Sequence, residues 1–437
     1  MSASPRRPWG KLDFAAAREH LFLMRMTLDH GISDLVHGFV LDKSSGEDRA
    51  QSPSSDPFWA GLRGVGTELW LDTGDIQAAS VIWTREFSAL TTNNTLLNKE
   101  VQKGIYDDLI REAGRLLASL DRSQRIMEIA FILNALHGLR LVRRFNALVS
   151  VELHTATADD VDAAVSYGRR FSRISPKSFV VKVPLTAAGF IATRILRTEG
   201  IPVNFTLGFS ARENYLVTRF ASPSYVNVFL GRLNSYVSEN NLGDGLMVGE
   251  KATLASQAAV SRVSQQSGKT TRQIAASMRE GPQVRDLAGV DVMTIPTTTA
   301  REAREKLDGK WRSCLHENYA VRFAPGVDEK RSGLSVLWDI TEQDEELAAS
   351  LAERAPGTAE ELVDRAQAMG VGGLFPRLSP EDASFLASEG KIPKHSRWAP
   401  RIATGELAID ALLTAAGLKS FTADQGALDE RIRRLIE

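Results

Sequence analysis

The chain has 437 residues, of which 43% are hydrophobic and 24% are charged, and its formal net charge is −1. This length suits one large α/β barrel with extra segments or two ordinary domains. The near-zero charge gives no sign of bulk attraction to nucleic acid or membrane. The single cysteine, Cys314, excludes an internal disulfide framework. Without a signal-peptide core or an apolar run near the about 20 residues of a membrane span, the sequence predicts a cytoplasmic protein.

The first 60 residues have the pattern of an extension. Residues 12–41 carry a broken apolar stripe, which predicts a helix. Residues 42–57 (DKSSGEDRAQSPSSDP) are polar and rich in Ser and Pro, which is typical of a surface linker. We therefore expect residues 1–60 to form a helical extension followed by a linker.

Eight short apolar runs alternate with longer amphipathic segments between residues 61 and 297. Strands separated by helices predict a parallel sheet with right-handed crossovers, and eight is the number that closes a (β/α)₈ barrel. A doubly wound open sheet is the second choice, because no Gly-rich phosphate loop follows the first strand. The predicted strands are 68–74, 88–95, 147–153, 178–186, 202–209, 225–231, 273–277 and 290–296.

Residues 298–404 differ from the barrel repeat, because they are punctuated by Pro and Gly and contain one clear helical patch, at 341–369. A segment that leaves the eighth strand emerges at the catalytic mouth of such a barrel. We therefore expect an inserted cap that covers or narrows the entrance, with packing on the outer helices as the alternative. Residues 405–437 predict a C-terminal helix that packs on the barrel.

A lysine interrupts the fourth predicted strand, whose sequence VVKVP is otherwise fit for burial on both faces. Burial of an ammonium group is costly unless the group is paired or neutralised. Removal from water favours the neutral amine, which can attack a carbonyl carbon. An edge-strand lysine that blocks aggregation, or one that snorkels to solvent, would give the same pattern. Lys182 alone does not decide between these interpretations.

Polar residues near the carboxyl ends of the other strands favour the catalytic interpretation, because barrel enzymes keep their sites at that end. Each residue alone could be a strand-end cap or turn residue, which is the commoner role of Asp and Asn. Several such strands around one buried lysine are harder to explain in that way. The residues are Asp72, Asn93, Glu152, Asn204 with Thr206, and Asn227 with Phe229, and each of the two pairs has the spacing of a shared strand face.

Seven motifs of the barrel segment resemble those of the transaldolase family. The segment VVKVPLTAAGFIAT around Lys182 is similar to the family's active-site motif, and LDTGD, ALTTN, SVE, VNFTL, VFLGR and ASMR occupy their family order around it. The resemblance covers residues 68–297 and, weakly, the C-terminal helix. It implies a (β/α)₈ transferase of the pentose phosphate pathway that acts on sugar phosphates with no metal or organic cofactor. It also allows a homodimer.

The resemblance implies catalytic roles for four residues. Lys182 matches the Schiff-base lysine, and Asp72 matches the acid/base that takes the C4 hydroxyl proton as the C3–C4 bond breaks. Glu152 and Thr206 match the pair that holds a catalytic water and moves protons during imine formation. The implied reaction transfers a dihydroxyacetone unit from sedoheptulose 7-phosphate to glyceraldehyde 3-phosphate, which gives erythrose 4-phosphate and fructose 6-phosphate.

Substrate-binding roles follow from the same resemblance. Asn93 and Asn204 match groups that hold the three-carbon fragment. Arg232, Ser277 and Arg279 match a phosphate clamp, and the planar guanidinium fork suits a phosphate. Without the motifs, both arginines could be interpreted as ordinary surface residues.

Four positions bear on which reaction is catalysed. Phe229 resembles the transferases of the superfamily, whereas the related aldolases carry tyrosine, and Glu152 in place of glutamine also favours transfer. Asn227 stands where the family usually has a serine that contacts the C1 end of the donor. Asn94 replaces a usual proline. A specialised relative or aldolase acting on another sugar, and a non-catalytic barrel that binds a protein partner, are the alternatives.

Overall fold

The structure is a computed structural model that describes residues 31–44 and 53–437. The chain divides into two compact units, Met1–Gly46 and Glu47–Glu437. In the first unit, residues 31–43 form helix α1, in which Val36 and Val40 are fully buried. Residues 12–30 of the predicted helix and residues 45–52 of the linker predicted over 42–57 lie outside the described residues.

The second unit contains a closed barrel of parallel strands in chain order, in which β1 pairs with both β2 and β8. This confirms the predicted (β/α)₈ barrel and excludes the doubly wound sheet. The eight strands coincide with the eight predicted apolar runs. Their bounds are β1 Glu68–Asp72, β2 Phe87–Thr91, β3 Leu148–Glu152, β4 Phe179–Pro184, β5 Val203–Thr206, β6 Tyr225–Phe229, β7 Arg272–Ala276 and β8 Val292–Pro296.

Helices surround the strands, and polar caps fix where several of them begin. Thr186 accepts a hydrogen bond from the third residue of the helix after β4, and Ser210 forms a capping box with Glu213 after β5. The helices are α2 Pro57–Gly64, α3 Ile76–Ile82, α4 Asn94–Gln102, α5 Asp107–Leu116, α6 Arg122–Phe145, α7 Val161–Ile174, α8 Ala187–Thr198, α9 Ala211–Ala221, α10 Leu230–Glu239, α11 Val248–Ser267, α12 Pro282–Asp286 and α13 Thr297–Lys306.

The segment after α13 is irregular to residue 333 and then helical. The predicted helical patch at 341–369 is two helices, α14 and α15, which pack against α9 and α8 on the outside of the barrel. The last helix, α18, packs against α4, α5 and α6. Among the described residues, no helix is long and apolar enough to cross a membrane. The helices are α14 Glu342–Glu353, α15 Ala359–Ala368, α16 Pro380–Glu389, α17 His395–Ala403 and α18 Ile409–Ile436.

A buried arginine joins this C-terminal segment to the barrel. The Arg212 guanidinium on α9 donates to both carboxylate oxygens of Asp410, at 2.7 and 2.9 Å, and lies 3.7 Å from Asp344 on α14. Thr414 on α18 donates to the carbonyl oxygen of Leu207, directly after β5. These contacts hold the first half of α18 against the carboxyl ends of the strands.

Candidate active site

A cavity with an empty volume of about 720 Å³, part of it open to solvent, lies at the carboxyl ends of the strands. Ten of the eleven site residues predicted from the sequence line it, and Glu152, the eleventh, lies beside Lys182. The barrel therefore brings the predicted set together. The ten are Asp72, Asn93, Lys182, Asn204, Thr206, Asn227, Phe229, Arg232, Ser277 and Arg279.

Lys182 lies in β4, between Glu152 of β3 and Asn204 of β5 in the strand register. The residue is 5% exposed. Its Nζ donates to the carbonyl oxygen of Thr92 at 3.3 Å and lies 3.6 Å from Oε1 of Glu152. The Phe421 ring of α18 covers the amine at 5.9 Å. A partly desolvated amine with a carboxylate in reach can exchange a proton within the site.

Asp72 ends β1 and is held by a chain of hydroxyl groups. The Thr91 hydroxyl donates its hydrogen to Oδ1 of Asp72 at 2.8 Å. The hydroxyl of Thr294 on β8 lies 2.7 Å from that of Thr91 and is therefore the donor in that second hydrogen bond. Burial raises the pKa of Asp72 above its usual 3.8, although Lys182 and Thr91 oppose the shift. A carboxylate with a raised pKa is a stronger base and suits proton abstraction.

Glu152 ends β3 and accepts a hydrogen bond from the main-chain N–H of Asn94 at 3.0 Å. Asn134 on α6 donates to the carbonyl oxygen of Glu152 at 2.7 Å and fixes the end of the strand. Burial raises the pKa of the Glu152 carboxyl, while Lys182 and the Asn94 N–H lower it. Glu152 can therefore hold a proton at a higher pH than an exposed glutamate.

Buried amide and hydroxyl groups line the cavity beside the lysine. The side chain of Asn204 donates to Ser150 at 3.0 Å, and its oxygen accepts from Asn227 at 2.6 Å. This leaves the Asn227 side-chain oxygen and the Thr206 hydroxyl buried with no partner among the described residues. Such atoms are costly unless a ligand satisfies them. Asn93 uses its oxygen to cap α4 at 2.8 Å, which leaves its amide N–H groups for a ligand.

Arg232 lies in the first turn of α10, directly after β6, and is 4% exposed. Its Nη1 has no hydrogen-bond partner among the described residues. The guanidinium carbon lies 5.5 Å and 5.6 Å from the rings of Phe229 and Phe421. Burial and the charge of Arg279 lower the pKa of Arg232 to about 10. A buried cation without a carboxylate partner favours an anionic ligand.

The loop after β7 brings Ser277 and Arg279 against the start of α10. Ser277 adopts a φ of 60°, which non-glycine residues rarely do outside functional or turn sites. A Cβ added at Gly231 would lie 2.3 Å from the main-chain carbonyl oxygen of Ser277 and 2.6 Å from Cγ of Arg279. The close approach of this loop to the start of α10 therefore requires glycine at position 231. The N-terminus of α10 has no side-chain cap. Its free N–H groups add to the positive field beside Arg232.

The sequence reasoning missed several cavity residues, among them Lys391 and Phe421. Lys391 follows α16 and Phe421 lies in α18, and neither belongs to a strand-end motif. Thr91, which also lines the cavity, lies two residues before the predicted Asn93 and could have been found from its position at the end of β2. Over residues 31–44 and 53–437, no group of three or more His, Cys, Asp or Glu side chains could hold a metal ion.

Comparison with known proteins gives a consistent result. The family model for transaldolase/fructose-6-phosphate aldolase matches residues 69–332. A transaldolase of Xanthomonas oryzae is 29% identical over 265 residues, which cover 58% of this chain and 78% of the relative. One of Xanthomonas euvesicatoria is 30% identical over 249 residues, covering 55% and 74%. A probable transaldolase of Thermus thermophilus is 32% identical over 233 residues, covering 52% and 86%.

Proposed function

The chain belongs to the transaldolase/fructose-6-phosphate aldolase family and is an enzyme of that class. From this premise we propose that it transfers a dihydroxyacetone unit between sugar phosphates through an imine on Lys182. The observation that carries the proposal is the buried Lys182 amine, 3.6 Å from Glu152 and open to the cavity. No metal or organic cofactor is required, because the protonated imine accepts the electron pair of the bond that breaks.

The first stage forms the imine. Proton transfer from Lys182 to Glu152 gives a neutral amine, which adds to the C2 carbonyl carbon of the ketose. Glu152 then returns the proton to the C2 hydroxyl, which leaves as water. In this proposal Thr206 and Glu152 hold that water, and the buried Thr206 hydroxyl, which has no partner among the described residues, supports this role.

The second stage breaks and remakes a carbon–carbon bond. Asp72 takes the proton of the C4 hydroxyl, C3–C4 breaks, and the electron pair moves into the iminium to give an enamine while the aldose phosphate leaves. The enamine carbon then attacks the aldehyde of the acceptor, and Asp72 returns its proton to the new C4 oxygen. Hydrolysis of the imine releases the product and regenerates Lys182.

Two groups of residues hold the substrate in this proposal. Asn93, Asn204 and Asn227 bind the hydroxyl groups of the three-carbon unit, and the free side-chain oxygen of Asn227 supports this role. The buried, unpaired guanidinium of Arg232 is what favours a phosphorylated substrate. Ser277 and Arg279 complete this phosphate site.

We propose sedoheptulose 7-phosphate and glyceraldehyde 3-phosphate as the substrate pair, with erythrose 4-phosphate and fructose 6-phosphate as products. Phe229 supports transfer over simple cleavage, because a phenylalanine has no hydroxyl that could bring a proton to the enamine. The second candidate is the same chemistry on another donor sugar. The Asn227 side chain favours this second candidate. It donates a hydrogen bond to the side-chain oxygen of Asn204, so that this oxygen is less available to accept from the C1 hydroxyl of the donor sugar.

Borohydride reduction in the presence of fructose 6-phosphate tests the proposal. Reduction of the imine should leave a stable adduct on the peptide that contains residues 180–186, detected by mass spectrometry. Transfer to erythrose 4-phosphate then separates the two candidates, because the second predicts trapping with poor transfer. Absence of an adduct with every ketose phosphate tried would leave a non-catalytic barrel as the better description.

A further inference from the structure

The loop between α16 and α17 places one lysine at the mouth of the cavity. Lys391 lines the cavity together with Arg232 and Arg279. The residue is exposed on the rim, and its side chain makes no hydrogen bond or ion pair with another described residue. The body of this C-terminal segment packs on the outer helices, so the loop is the part of residues 298–404 that reaches the site.

The loop is fixed at both ends by hydrogen bonds. On one side, the Glu389 carboxylate accepts from the N–H of Lys394 at 3.1 Å and from the Trp398 indole at 3.0 Å. On the other side, Asn240, at the end of α10, donates to the Pro393 carbonyl oxygen at 3.0 Å and accepts from the His395 N–H at 2.7 Å. Lys391 therefore has a well-anchored main chain.

The anchor helix α10 is also the helix that carries Arg232. His395 adds a further link, because its Nδ1 lies 2.8 Å from the hydroxyl of Tyr236 on α10. The lysine loop and the buried guanidinium thus share one rigid support. Pre-positioning of this kind reduces the entropy that ligand binding would otherwise lose.

The charges at the mouth are predominantly positive. Lys391 is close enough to Arg232, Arg279 and Lys99 to interact with them electrostatically, and Asp424 of α18 is the opposing carboxylate. Partial desolvation at the cavity mouth, followed by the charge of Arg232, lowers the pKa of the Lys391 ammonium, and Asp424 opposes the shift. Like charges brought together without enough carboxylates to balance them are stabilised by a bound anion.

We propose that Lys391 is a third cationic ligand of the substrate phosphate, supplied by the C-terminal segment to a clamp that the barrel builds from Arg232 and Arg279. The proposal deepens the proposed function and rests on it for the identity of the ligand, a sugar phosphate. It gives the segment after α13 a specific role, which is selection for phosphorylated over unphosphorylated substrates.

Binding measurements on a chain that cannot form the imine test this separately from catalysis. Titration calorimetry would compare the Lys182→Met protein with the Lys182→Met, Lys391→Met double variant, using inorganic phosphate and fructose 6-phosphate. We expect the Kd of both ligands to rise by roughly fivefold to tenfold, which is less than for a buried contact because Lys391 is exposed. Lys394→Met in the same background is the control, since it removes an exposed lysine from the same loop.

An unphosphorylated ketone supplies the second readout. Dihydroxyacetone can form the imine but has no phosphate, so its rate of borohydride trapping should be equal in Lys391→Met and wild-type protein. Unchanged phosphate binding in the double variant would overturn the proposal. Equal losses with dihydroxyacetone and fructose 6-phosphate would also overturn it, because they would show a structural effect. Failure of the wild-type protein to trap any ketose would instead overturn the imine, and the phosphate titration would still decide the role of Lys391.

Discussion

The main-chain N–H of Asn94 donates to Oε2 of Glu152 at 3.0 Å, across the gap between the start of α4 and the end of β3. Both residues are buried. Asn94 is the first residue of α4, a position that proline tolerates well. A proline at this position would have no N–H to donate. The Asn94 main chain therefore gives Glu152 a hydrogen bond that a proline here could not make.

The Asn94→Pro variant isolates that hydrogen bond. The N–H stabilises the ionised carboxylate and lowers the pKa of Glu152, so its removal should raise that pKa further. Glu152 would then need a higher pH to ionise and accept the proton of Lys182, so the acid limb of imine formation should move to higher pH. The rate of borohydride trapping as a function of pH measures this. Asn94→Ala keeps the N–H and should leave the limb in place; equal shifts in both variants would contradict the assignment.

Lys182→Met should abolish the reduced adduct and lower transfer by a factor of about 10⁴ or more, because no other amine lies in this position. Methionine fills similar space with an adaptable chain, so the variant should remain folded. Peptide mass spectrometry after reduction measures the adduct, and circular dichroism checks the fold. Lys177→Met is the matched control, an exposed lysine just before the same strand. An adduct that persists in Lys182→Met would place the nucleophile elsewhere.

Asp72→Asn should form the imine and then stall. The amide cannot accept the C4 proton, so release of the aldose phosphate should slow by roughly 10²–10⁴-fold while trapping continues. In the wild-type protein the cleavage step needs ionised Asp72. Because burial raises the pKa of Asp72, the rate of C3–C4 cleavage should fall as the pH decreases through a value above 3.8. Glu152→Gln should slow imine formation instead. If single-turnover experiments showed that both variants are blocked at the same step, the assignment of C3–C4 cleavage to Asp72 and of imine formation to Glu152 would be wrong.

The positions of the strands and of their polar ends could be predicted from the sequence, because burial on both faces leaves a continuous apolar run. Lys182 and Asp72 can be recognised for the same reason. Lys182 is a polar residue inside the apolar run VVKVP, and Asp72 is the polar residue at which the apolar run LWL ends. The order of these motifs then brings them to one end of a closed barrel. Local chemistry and this topological rule predicted the strand-end residues, whereas Arg232, Ser277 and Arg279 were predicted from the family resemblance alone.

Lys391 and Phe421 could not be predicted in this way. Both reach the cavity through contacts with residues more than a hundred positions earlier in the chain, and neither interrupts a recognisable pattern. The placement of α14 and α15 was equally undetermined, since an amphipathic helix can bury its apolar face against the mouth or against the outer helices. Apolar residues such as Leu347 and Leu351 are buried on the second of these surfaces.

Arg232→Met should have opposite effects on stability and on binding. It removes a buried guanidinium with an unpartnered Nη1, so the ligand-free protein should be equally stable or more stable, by ~1 kcal/mol. Loss of the charge-assisted contact should weaken fructose 6-phosphate binding by roughly tenfold to a hundredfold, corresponding to about 1.5–3 kcal/mol. Thermal unfolding with and without the sugar phosphate measures both effects.

Arg301→Met, an exposed substitution on α13, is the control for this experiment and should change neither quantity. Unphosphorylated fructose should bind wild-type and Arg232→Met protein equally well. A loss of the same size for fructose and for fructose 6-phosphate would mean that Arg232 acts through the packing of α10 and not through the phosphate.

Asn227 should matter for the three-carbon end of the substrate and not for the phosphate. Asn227→Ala removes the donor to Asn204 and the free side-chain oxygen at once. The concentration of dihydroxyacetone that half-saturates trapping should rise by about tenfold, the effect of one buried hydrogen bond. Phosphate binding measured by calorimetry should be unchanged. Loss of phosphate binding in this variant would contradict the proposal that the cavity has separate regions for the three-carbon unit and for the phosphate.

The buried cluster that joins α18 to the barrel should make stability depend on pH. Glu213, Asp344 and Asp410 surround the single guanidinium of Arg212, so three carboxyl groups share one buried positive charge. Burial and the neighbouring Asp410 raise the pKa of Glu213 to about 8. The folded protein therefore keeps a proton that the unfolded chain releases near 4.5. The contribution of Glu213 to stability is full below that value and is lost as pH rises to 8.

Glu213→Gln removes this titration while its side-chain oxygen can still accept from the N–H groups of Phe209 and Ser210. The free energy of unfolding of the variant, relative to wild type, should therefore increase between pH 4.5 and 8, by on the order of 1–3 kcal/mol, and stay constant above pH 8. Urea unfolding at a series of pH values measures the difference. Glu239→Gln, an exposed change at the end of α10, should show no such trend. A difference that is constant or decreases over this interval would mean that Glu213 is ionised in the folded protein at neutral pH and that Arg212 balances the cluster without a bound proton.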